Sequence, residues 1–467
     1  MVCKQLSKQA LSVYRKPRSQ QCVYTSNSSR ISSYIRFSFF KMLSFLCLIS
    51  ESTAMPLNGR ISPSTPGVLD LNVKRNVGSY GSNSHLARRT APYFDLENAQ
   101  TYYTVSMSVG TPGTEMDFLL DTGSSDFWVN ANSSHGDYFD YEKSKTFQKN
   151  DTDSKFGIAF GDGTKASGFW GTDKISIFDH TFDASFGLAT ENDVVSEILG
   201  IGLPQGETTV HGVDADGNLY PTYTNFPQLL KDNALNERVA YSLWLDGAVG
   251  GNGTLLFGGV DHSKYQGNLT VVPIVNDGSI PVAKKPTSLS VILHQAKLSD
   301  SDSGFEKNIE EPVLLDTGST LCVLPSHFVD SLGKALGGSY SDKLQVYEVD
   351  CDNTGTVNFN FSGTEISTNV SDLLLPLEDV GGSNKNGRCA LGAYKTDKGK
   401  FVLGDPFLRS AYVVFDLEGL EIGLAQAVPA RSFTGSPDIE EISNKIPSAT
   451  SAPSYSHTEL ATSVTSS

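Results

Sequence analysis

Basic residues are scarce in this chain of 467 residues, which has 36 Lys and Arg against 52 Asp and Glu. The formal net charge is −16 at pH 7. Because a phosphate backbone binds to a basic protein face, this balance argues against a nucleic-acid-binding protein. A surplus of carboxylates also keeps a protein soluble in mildly acid surroundings, which fits secretion.

Helical periodicity is scarce as well, which argues against a helical bundle. The best helix candidates are two short segments, "NFPQLLKDNAL" and "SHFVDSLGKAL". From Tyr102 onward the chain consists of short aliphatic or alternating runs separated by Gly, Asn and Asp, and its 43 Gly favour turn-rich β structure. The length suggests two or three domains. The sequence therefore predicts a mainly β protein with more than one domain.

Cysteine is also sparse, with six in the chain, three of them in a leader that we expect to be removed. Cys351 and Cys389 would close a loop of about 40 residues, and such a disulfide is worth roughly 3–4 kcal/mol in the chain-entropy interpretation. Cys322 is then an unpaired buried thiol. The alternative is that all three are reduced core residues.

The first ninety residues lack the pattern of a folded domain. The apolar run "IRFSFFKMLSFLCLIS" follows basic residues, precedes small ones and is too short to span a bilayer comfortably, as in a secretory signal. We expect residues 1–54 to be an extension with this signal, Met42 being an alternative start. Residues 55–89 are then a propeptide cut by a processing protease at Lys74-Arg75 and Arg88-Arg89, unless these are ordinary solvated charge pairs.

Six glycan-acceptor sequons favour an oxidising secretory compartment, and they begin at Asn132, Asn150, Asn252, Asn268, Asn360 and Asn369. Residues 432–467 are rich in Ser, Thr and Pro and are predicted to be a disordered tail. No hydrophobic stretch follows this tail, which argues against a glycosylphosphatidylinositol anchor. We expect a protein that is secreted or held at the cell surface or wall, rather than vacuolar, with no transmembrane anchor in the mature chain.

One short pattern occurs twice, as "FLLDTGSS" around Asp121 and as "VLLDTGST" around Asp316, 195 residues apart. Each copy carries a carboxylate from an aliphatic strand to a tight turn, where Gly supplies unusual backbone angles and Ser or Thr supplies hydroxyls. A single copy would indicate only a solvated turn Asp. Two matching copies predict two similar half-structures that bring their turns together and pair the carboxylates.

Two carboxyl groups about 3 Å apart cannot both ionise in a poorly solvated site, so they share one proton. Such a pair titrates as a unit, and neither residue is the acid by sequence alone. The ionised member takes a proton from a water held between the two, the protonated member polarises a substrate carbonyl, and a tetrahedral diol forms. This chemistry requires no metal and no cofactor.

The chain resembles the pepsin-like aspartic proteases, within the fungal secreted group of candidapepsins and yapsins, from about Tyr102 to Ala427. The likeness includes Trp128-Val129 after the first turn, "EILGIGLP" and "FVLGDPFLR" as strands beside the turns, and "YVVFDLEGLEIGLA" as a closing hairpin. The resemblance implies a bilobal β fold with a central cleft. Residues 90–285 would form the N-terminal lobe with the first catalytic Asp and the flap, and residues 286–431 the C-terminal lobe with the second.

By this resemblance, Asp121 and Asp316 are the catalytic dyad of an acid endopeptidase that is made as a zymogen. The turn residues would support the dyad. The two Gly would donate backbone N–H groups to the carboxylates, the two Thr would brace the loops against each other, and the two Ser would hydrogen-bond the outer carboxylate oxygens. These supporting residues are Thr122, Gly123, Ser124, Thr317, Gly318 and Ser319.

The segment "IAFGDGTKASG" resembles the family's flap, a hairpin that closes over substrate, with Phe160, Gly161, Asp162 and Gly163 at its tip. The family's usual flap Tyr corresponds here to Phe160, which lacks the hydroxyl that would hydrogen-bond toward Trp128. Loss of one hydrogen bond, roughly 0.5–1.5 kcal/mol, predicts a rate lower by about tenfold at most. Asp162 favours a basic substrate side chain, although a plain turn Asp is the simpler interpretation.

The expected partners are peptide and protein substrates, and the enzyme is expected to be a monomer. A catalytically dead relative that binds peptide or wall polysaccharide is one alternative, and a two-carboxylate glycoside hydrolase is another. Intact dyad motifs argue against the first. The second needs carboxylates at least about 5 Å apart in dissimilar surroundings, whereas two matching turns predict symmetric ones.

Overall fold

A computed structural model describes most of the chain after residue 58. The described ranges are 59–61, 67–77, 101–131, 138–150, 155–161, 163–194, 196–209, 223–246, 252–280, 283–299, 306–383, 387–429 and 436–455. Residues 57–467 form one compact unit. The predicted mainly β fold is confirmed, since strands dominate these ranges.

Twenty-nine strands are present in the described ranges. The first ten are β1 (Gly59–Ile61), β2 (Leu69–Val77), β3 (Thr101–Val109), β4 (Thr114–Asp121), β5 (Phe127–Asn130), β6 (Gln148–Lys149), β7 (Lys155–Ala159), β8 (Lys165–Ile177), β9 (His180–Asn192) and β10 (Ile198–Gly200). The next seven are β11 (Ala240–Leu245), β12 (Asn252–Phe257), β13 (Gly259–Asp261), β14 (Tyr265–Pro273), β15 (Ser290–Ser299), β16 (Glu306–Leu315) and β17 (Cys322–Pro325). The last twelve are β18 (Ser339–Ser341), β19 (Val346–Asp350), β20 (Thr356–Phe361), β21 (Thr364–Asn369), β22 (Leu374–Pro376), β23 (Arg388–Leu391), β24 (Ala393–Thr396), β25 (Phe401–Leu403), β26 (Ala411–Asp416), β27 (Glu421–Ala427), β28 (Ile439–Glu441) and β29 (Thr450–Ser451).

Helices are few and short within the described ranges, and they are α1 (Phe226–Asp232), α2 (Ser326–Ala335) and α3 (Asp405–Leu408). Both helix candidates of the sequence are confirmed by α1 and α2. The side chain of Asn225 caps α1 by accepting from the Gln228 N–H, and α2 buries Phe328, Val329 and Leu332 on one face. None of the helices in these ranges is long and apolar enough to cross a bilayer.

The two halves of the fold repeat one arrangement of strands around each DTG turn. In the first half, β4 pairs in parallel with β10, and β10 pairs antiparallel with β5. In the second half, β16 pairs in parallel with β25, and β25 pairs antiparallel with β17. A further strand extends each set in parallel, β9 beside β5 and β24 beside β17. Both aspartates therefore emerge at the end of a strand that is buried between neighbours.

A shared sheet joins the two halves. Its strand order runs from β14 through β27, β26, β11, β12 and β2 to β3 and β4, so strands from both ends of the chain lie side by side. The repeat set around Asp316 belongs to a separate seven-stranded sheet with the order β21-β20-β15-β16-β25-β17-β24. The multiple sheets are consistent with the predicted bilobal fold.

The expectation that nothing before residue 90 is folded is wrong for residues 67–77. Strand β2 lies inside the shared sheet, between β3 and β12, and buries Leu71 and Val73. Its apolar residues alternate along the strand, so one face fits the core. Lys74 and Arg75 are part of this paired strand, whereas Arg88 and Arg89 lie outside the described residues.

The predicted disordered tail is also wrong for residues 436–455. Strand β28 pairs with β13, and β29 pairs in parallel with β14. Ile442, Ile446 and Ala452 are buried against the shared sheet. The segment is rich in Ser, Thr and Pro, and this composition alone predicts disorder. Its three spaced apolar residues nevertheless pack on a face of the shared sheet and hold the segment in place.

The predicted disulfide is confirmed, since Cys351 and Cys389 are bonded. It links the end of β19 to β23, two neighbouring strands of a small four-stranded sheet. Cys322 is free and buried at the start of β17. Burial raises the pKa of its thiol to about 11, which keeps the sulfur protonated and unreactive at neutral pH.

Candidate active site

The two DTG turns meet face to face, and two threonines hold them there. The Thr317 hydroxyl accepts from the Thr122 backbone N–H at 3.1 Å and donates to the Leu120 carbonyl at 2.7 Å. Symmetrically, the Thr122 hydroxyl accepts from the Thr317 N–H at 3.0 Å and donates to the Leu315 carbonyl at 2.8 Å. Both side chains are buried, 1% exposed each, so these four bonds form away from water.

The carboxyl groups of Asp121 and Asp316 lie beside each other, since a Cβ atom built on Gly318 would contact an oxygen of both. The Gly123 N–H donates to Asp121 Oδ1 at 2.8 Å, and the Gly318 N–H donates to Asp316 Oδ1 at 2.8 Å. A Cβ atom on Gly123 would lie 2.5 Å from the Asp316 carboxyl carbon, and one on Gly318 would lie 2.6 Å from Asp121 Oδ1. Glycine is therefore required at both positions for the turns to come this close.

The serines of the two turns are not equivalent. The Ser124 hydroxyl donates to Asp121 Oδ2 at 2.5 Å, as the resemblance implies. The Ser319 hydroxyl instead donates to the Leu321 carbonyl at 2.9 Å, so the expectation that it bonds an outer oxygen of Asp316 is wrong. Leu321, whose carbonyl accepts this hydrogen bond, directly precedes β17 in the chain.

Proton affinity is raised at the second carboxyl group of this pair. The pKa of Asp316 lies well above the ordinary value, first because its carboxyl group is removed from water and next because Asp121 is adjacent. Asp121 itself is buried, 5% exposed. The two turns therefore present two adjacent carboxyl groups, one of which has a raised pKa.

The hairpin that the sequence suggests as a flap is formed by β7 and β8, with Ala159 opposite Lys165. The Phe160 N–H donates to the Thr164 carbonyl at 2.9 Å, and the Gly163 N–H donates to the Phe160 carbonyl at 2.9 Å, which closes the tip. Gly161 is exposed at the tip, and Asp162 lies outside the described residues.

Apolar side chains of this hairpin pack with residues of neighbouring strands in a group that we call the flap-base cluster. Its members are Trp128, Phe156, Ile158, Ala166, Trp170, Ala189 and Ile198. Phe160 packs against it and is half-buried. The Trp128 side chain is fully buried, and within the described ranges no acceptor reaches its indole N–H. The missing hydroxyl at position 160 therefore coincides with an unsatisfied donor at Trp128.

Sequence reasoning missed one buried acid close to the dyad. Asp405 begins α3 directly after β25, and both of its carboxyl oxygens are buried without a hydrogen-bond partner in the described ranges. Burial raises its pKa to about 7, although the charges of Arg409 and Arg75 act in the opposite direction. The sequence did carry one sign of this buried acid, since Asp405 is the charged residue of the otherwise apolar segment "FVLGDPFL".

The glycan acceptors differ in exposure. Asn268 and Asn369 are exposed, whereas Asn150 and Asn360 are half-buried. The side-chain Oδ1 of Asn150 accepts from the Thr172 hydroxyl, and the side-chain Oδ1 of Asn360 accepts from the Gly363 N–H. Two further acceptors fall where the structure describes no side chain, namely Asn132 and Asn252.

Residues 102–427 match the family of eukaryotic aspartyl proteases. The chain belongs to this family. Aspartic proteinase yapsin-3 of Saccharomyces cerevisiae is 38% identical over 424 residues, which cover 86% of this chain and 80% of that protein. Acid protease of Saccharomycopsis fibuligera is 34% identical over 404 residues, covering 83% and 99%. Secreted aspartic protease 10 of Candida albicans is 30% identical over 424 residues, covering 82% and 85%.

Membership confirms the resemblance predicted from the sequence and places this aspartyl protease among the aspartic-type endopeptidases, hydrolases that act on peptide substrates. The glycoside hydrolase alternative is therefore wrong. The aspartyl protease has fungal relatives that include a protein named as secreted.

The four hydrogen bonds of Thr122 and Thr317, which we call the threonine brace, lead to the first prediction. Thr317→Val removes the hydroxyl and keeps the volume of the side chain nearly unchanged. The variant leaves the Thr122 N–H and the Leu120 carbonyl unpaired, each at a cost of about 1–3 kcal/mol. We expect a lower melting temperature and at least about a tenfold loss of kcat/KM in a peptide-cleavage assay. Thr317→Ser, which keeps the hydroxyl, is the control and should retain most of both; equal losses in the two variants would contradict the brace.

The unsatisfied indole leads to the second prediction. Phe160→Tyr supplies a hydroxyl beside the flap-base cluster, and a new hydrogen bond to the Trp128 N–H of about 0.5–1.5 kcal/mol should raise kcat/KM by up to about tenfold. Phe160→Leu keeps an apolar side chain without the ring and should lower kcat/KM. A tyrosine variant no faster than the parent enzyme would show that Trp128 needs no partner for flap closure.

Proposed function

We propose that this aspartyl protease is an acid endopeptidase in which a water molecule held between Asp121 and Asp316 attacks the scissile carbonyl. The observation that carries the proposal is the adjacent carboxyl pair, held face to face by the threonine brace. One carboxylate takes a proton from the water while the protonated partner donates a hydrogen bond to the substrate carbonyl oxygen. The product of this step is a tetrahedral diol, which collapses when the amide nitrogen is protonated.

The supporting contacts distribute charge in a way that suits this reaction. Asp121 receives hydrogen bonds from the Gly123 N–H and the Ser124 hydroxyl, which stabilise its ionised form. Asp316 receives one backbone donor, from Gly318, and its pKa is raised. These contacts favour the proton on the Asp316 side of the pair in the free enzyme, although the pair titrates as a unit.

The third prediction tests the dyad through Asp121→Asn and Asp316→Asn. Each substitution keeps the side-chain shape but prevents the pair from sharing a proton, so kcat/KM should fall by at least about a thousandfold in a peptide-cleavage assay. Asp183→Asn, on an exposed strand position, is the matched control and should keep full activity. Circular dichroism establishes that all three proteins fold; an active Asp316→Asn variant would sink the proposal and favour a peptide-binding protein.

The fourth prediction concerns pH. The dyad works while it holds one proton, so activity should fall at low pH as a second proton binds. It should also fall as the pH rises through the raised pKa of Asp316 and the last proton leaves. A bell-shaped profile of kcat/KM with its maximum below neutral pH is expected. A profile that still rises above pH 7 would contradict a shared proton.

We propose further that the enzyme is made as a zymogen and is processed after Arg89. Lys74-Arg75 lies in β2 with strands on both sides, which withholds this backbone from a processing protease. The Arg88-Arg89 pair is the better candidate.

The fifth prediction is therefore that protein sequencing of the secreted form finds Thr90 as the new N-terminus. A double substitution of Arg88 and Arg89 by Ala should abolish that cut, while substitution of Lys74 and Arg75 should not. A mature N-terminus at Asn76 would contradict this choice of site.

The proposed location is outside the cell or at its surface. The disulfide between Cys351 and Cys389 forms in an oxidising compartment, and the exposed acceptors Asn268 and Asn369 suit glycosylation during secretion. A loss of apparent mass on treatment with a glycosidase specific for Asn-linked glycans supports this location, and unchanged mass together with intracellular retention argues against it.

A further inference from the structure

A second polar pair lies directly behind the first catalytic turn. Asp126 follows that turn at the entrance to β5 and is buried, 1% exposed. Its carboxylate accepts from the Tyr223 hydroxyl at 2.9 Å through Oδ1 and from the Thr208 N–H at 2.9 Å through Oδ2. Its backbone carbonyl accepts from the Gly200 N–H at 3.1 Å. Asp126 is therefore fixed by three separate parts of the chain.

Tyr223 connects this carboxylate to the base of the flap hairpin. Its ring lies 4.8 Å from the Trp170 ring, and the Trp170 ring lies 5.3 Å from that of Phe156 in an edge contact. Phe156 belongs to β7 and Trp170 to β8, the two strands of the hairpin. Tyr223 also packs against the flap-base cluster as a whole. One side chain thus contacts the segment behind the dyad with its hydroxyl and the flap with its ring.

The same region holds a loop against the catalytic turn. The Ser125 hydroxyl donates to the Leu203 carbonyl at 2.6 Å, and Thr208 bonds Asp126 from the far end of that loop. Glu207, which is buried, is the other acidic group close to the Tyr223 hydroxyl. The Tyr223 hydroxyl therefore faces two acids, and it donates to Asp126 Oδ1 at 2.9 Å, with the Ser125 backbone carbonyl as a more distant acceptor at 3.4 Å.

Two opposing effects act on the Asp126 carboxyl group. Burial raises the pKa of Asp126, whereas the hydrogen bonds from Thr208 and Tyr223 act in the opposite direction by stabilising the carboxylate. Burial also holds the pKa of Tyr223 well above its ordinary value, so the phenol stays protonated. Removing the hydroxyl leaves a buried carboxylate with one donor fewer.

We propose that Tyr223 is a positioning residue of the peptidase reaction, which ties the backbone behind Asp121 to the base of the flap through its hydrogen bond to Asp126 and its contact with Trp170. The inference rests on the proposed function. Tyr223 acts through Asp126 and Trp170 and not on the reacting atoms. Tyr223 reaches the segment behind the turn by a hydrogen bond and the base of the flap by a ring contact.

The experiment compares Tyr223→Phe with a matched substitution elsewhere. Tyr347 donates to the Asp330 carboxylate at the same distance, 2.9 Å, from a sheet that contains neither dyad nor flap residues. Tyr347→Phe therefore loses a hydrogen bond of the same type away from the reaction. For both variants and the parent enzyme, kcat and KM are measured, with active sites counted by titration with a peptide inhibitor that carries a central hydroxyl.

We expect Tyr223→Phe to lower kcat per active site by about tenfold with KM within about twofold of the parent, because misplaced groups slow the reaction while the substrate pockets stay intact. Tyr347→Phe should keep kcat. In an Asp126→Leu background, Tyr223→Phe should cause less than about a twofold further change, because the carboxylate acceptor is already gone and only the Ser125 carbonyl at 3.4 Å is left.

Other results overturn the inference. A Tyr223→Phe enzyme with fewer titratable sites but normal kcat per site would show a purely structural residue, and an equal loss of kcat in Tyr347→Phe would show a general effect of lost stability. If the parent enzyme shows no peptide cleavage that is lost on substitution of Asp121, the proposed function is overturned as well. Normal kcat in Tyr223→Phe beside an active parent overturns this inference alone.

Discussion

The active site depends on four hydrogen bonds that cross between two turns far apart in the chain. Thr122 and Thr317 each accept from the opposite backbone and donate to the opposite strand, so neither turn keeps its position without the other. Since both hydroxyls are buried, breaking one bond leaves polar groups that water cannot reach. The contact between Asp121 and Asp316 is a consequence of this brace, because repelling carboxylates do not approach each other unless the backbone compels them to.

Burial raises the pKa of several carboxyl groups around the dyad. Asp316, Asp405 and Asp126 all have raised pKa values, with burial as the first cause in each case. For Asp405 the pKa rises from 3.8 to about 7 in the folded protein. The unfolded chain then ionises first, so this group lowers stability progressively as the pH rises from about 4 to about 7. A fold built around such groups is best suited to the acid conditions in which a shared proton can work.

The differences between expectation and structure share one cause, which is that a partner distant in sequence decides the outcome. Strand β2 looked like an unstructured propeptide because its neighbours, β3 and β12, come later in the chain. The segment around Ile442 and Ile446 was predicted to be disordered because composition does not reveal the sheet face on which its three apolar residues pack. Ser319 occupies the same position in its motif as Ser124, yet its hydroxyl donates to the carbonyl of Leu321.

Reading along the chain was enough to locate the two DTG turns and the strands that lead into them, since each is a local pattern. The hairpin of β7 and β8 was expected from the resemblance to the family, and the cysteine pair was one of two interpretations of the sequence. The same reading carried no information on the Tyr223 contact with Asp126 or on the burial of Asp405. Those features join residues through space, and a hydrogen bond or a lost hydration shell exists only after the strands have packed. The tendency to form a strand or a turn depends on residues that are neighbours in the sequence. Contacts between distant residues and the exclusion of water from a side chain depend on the whole folded core.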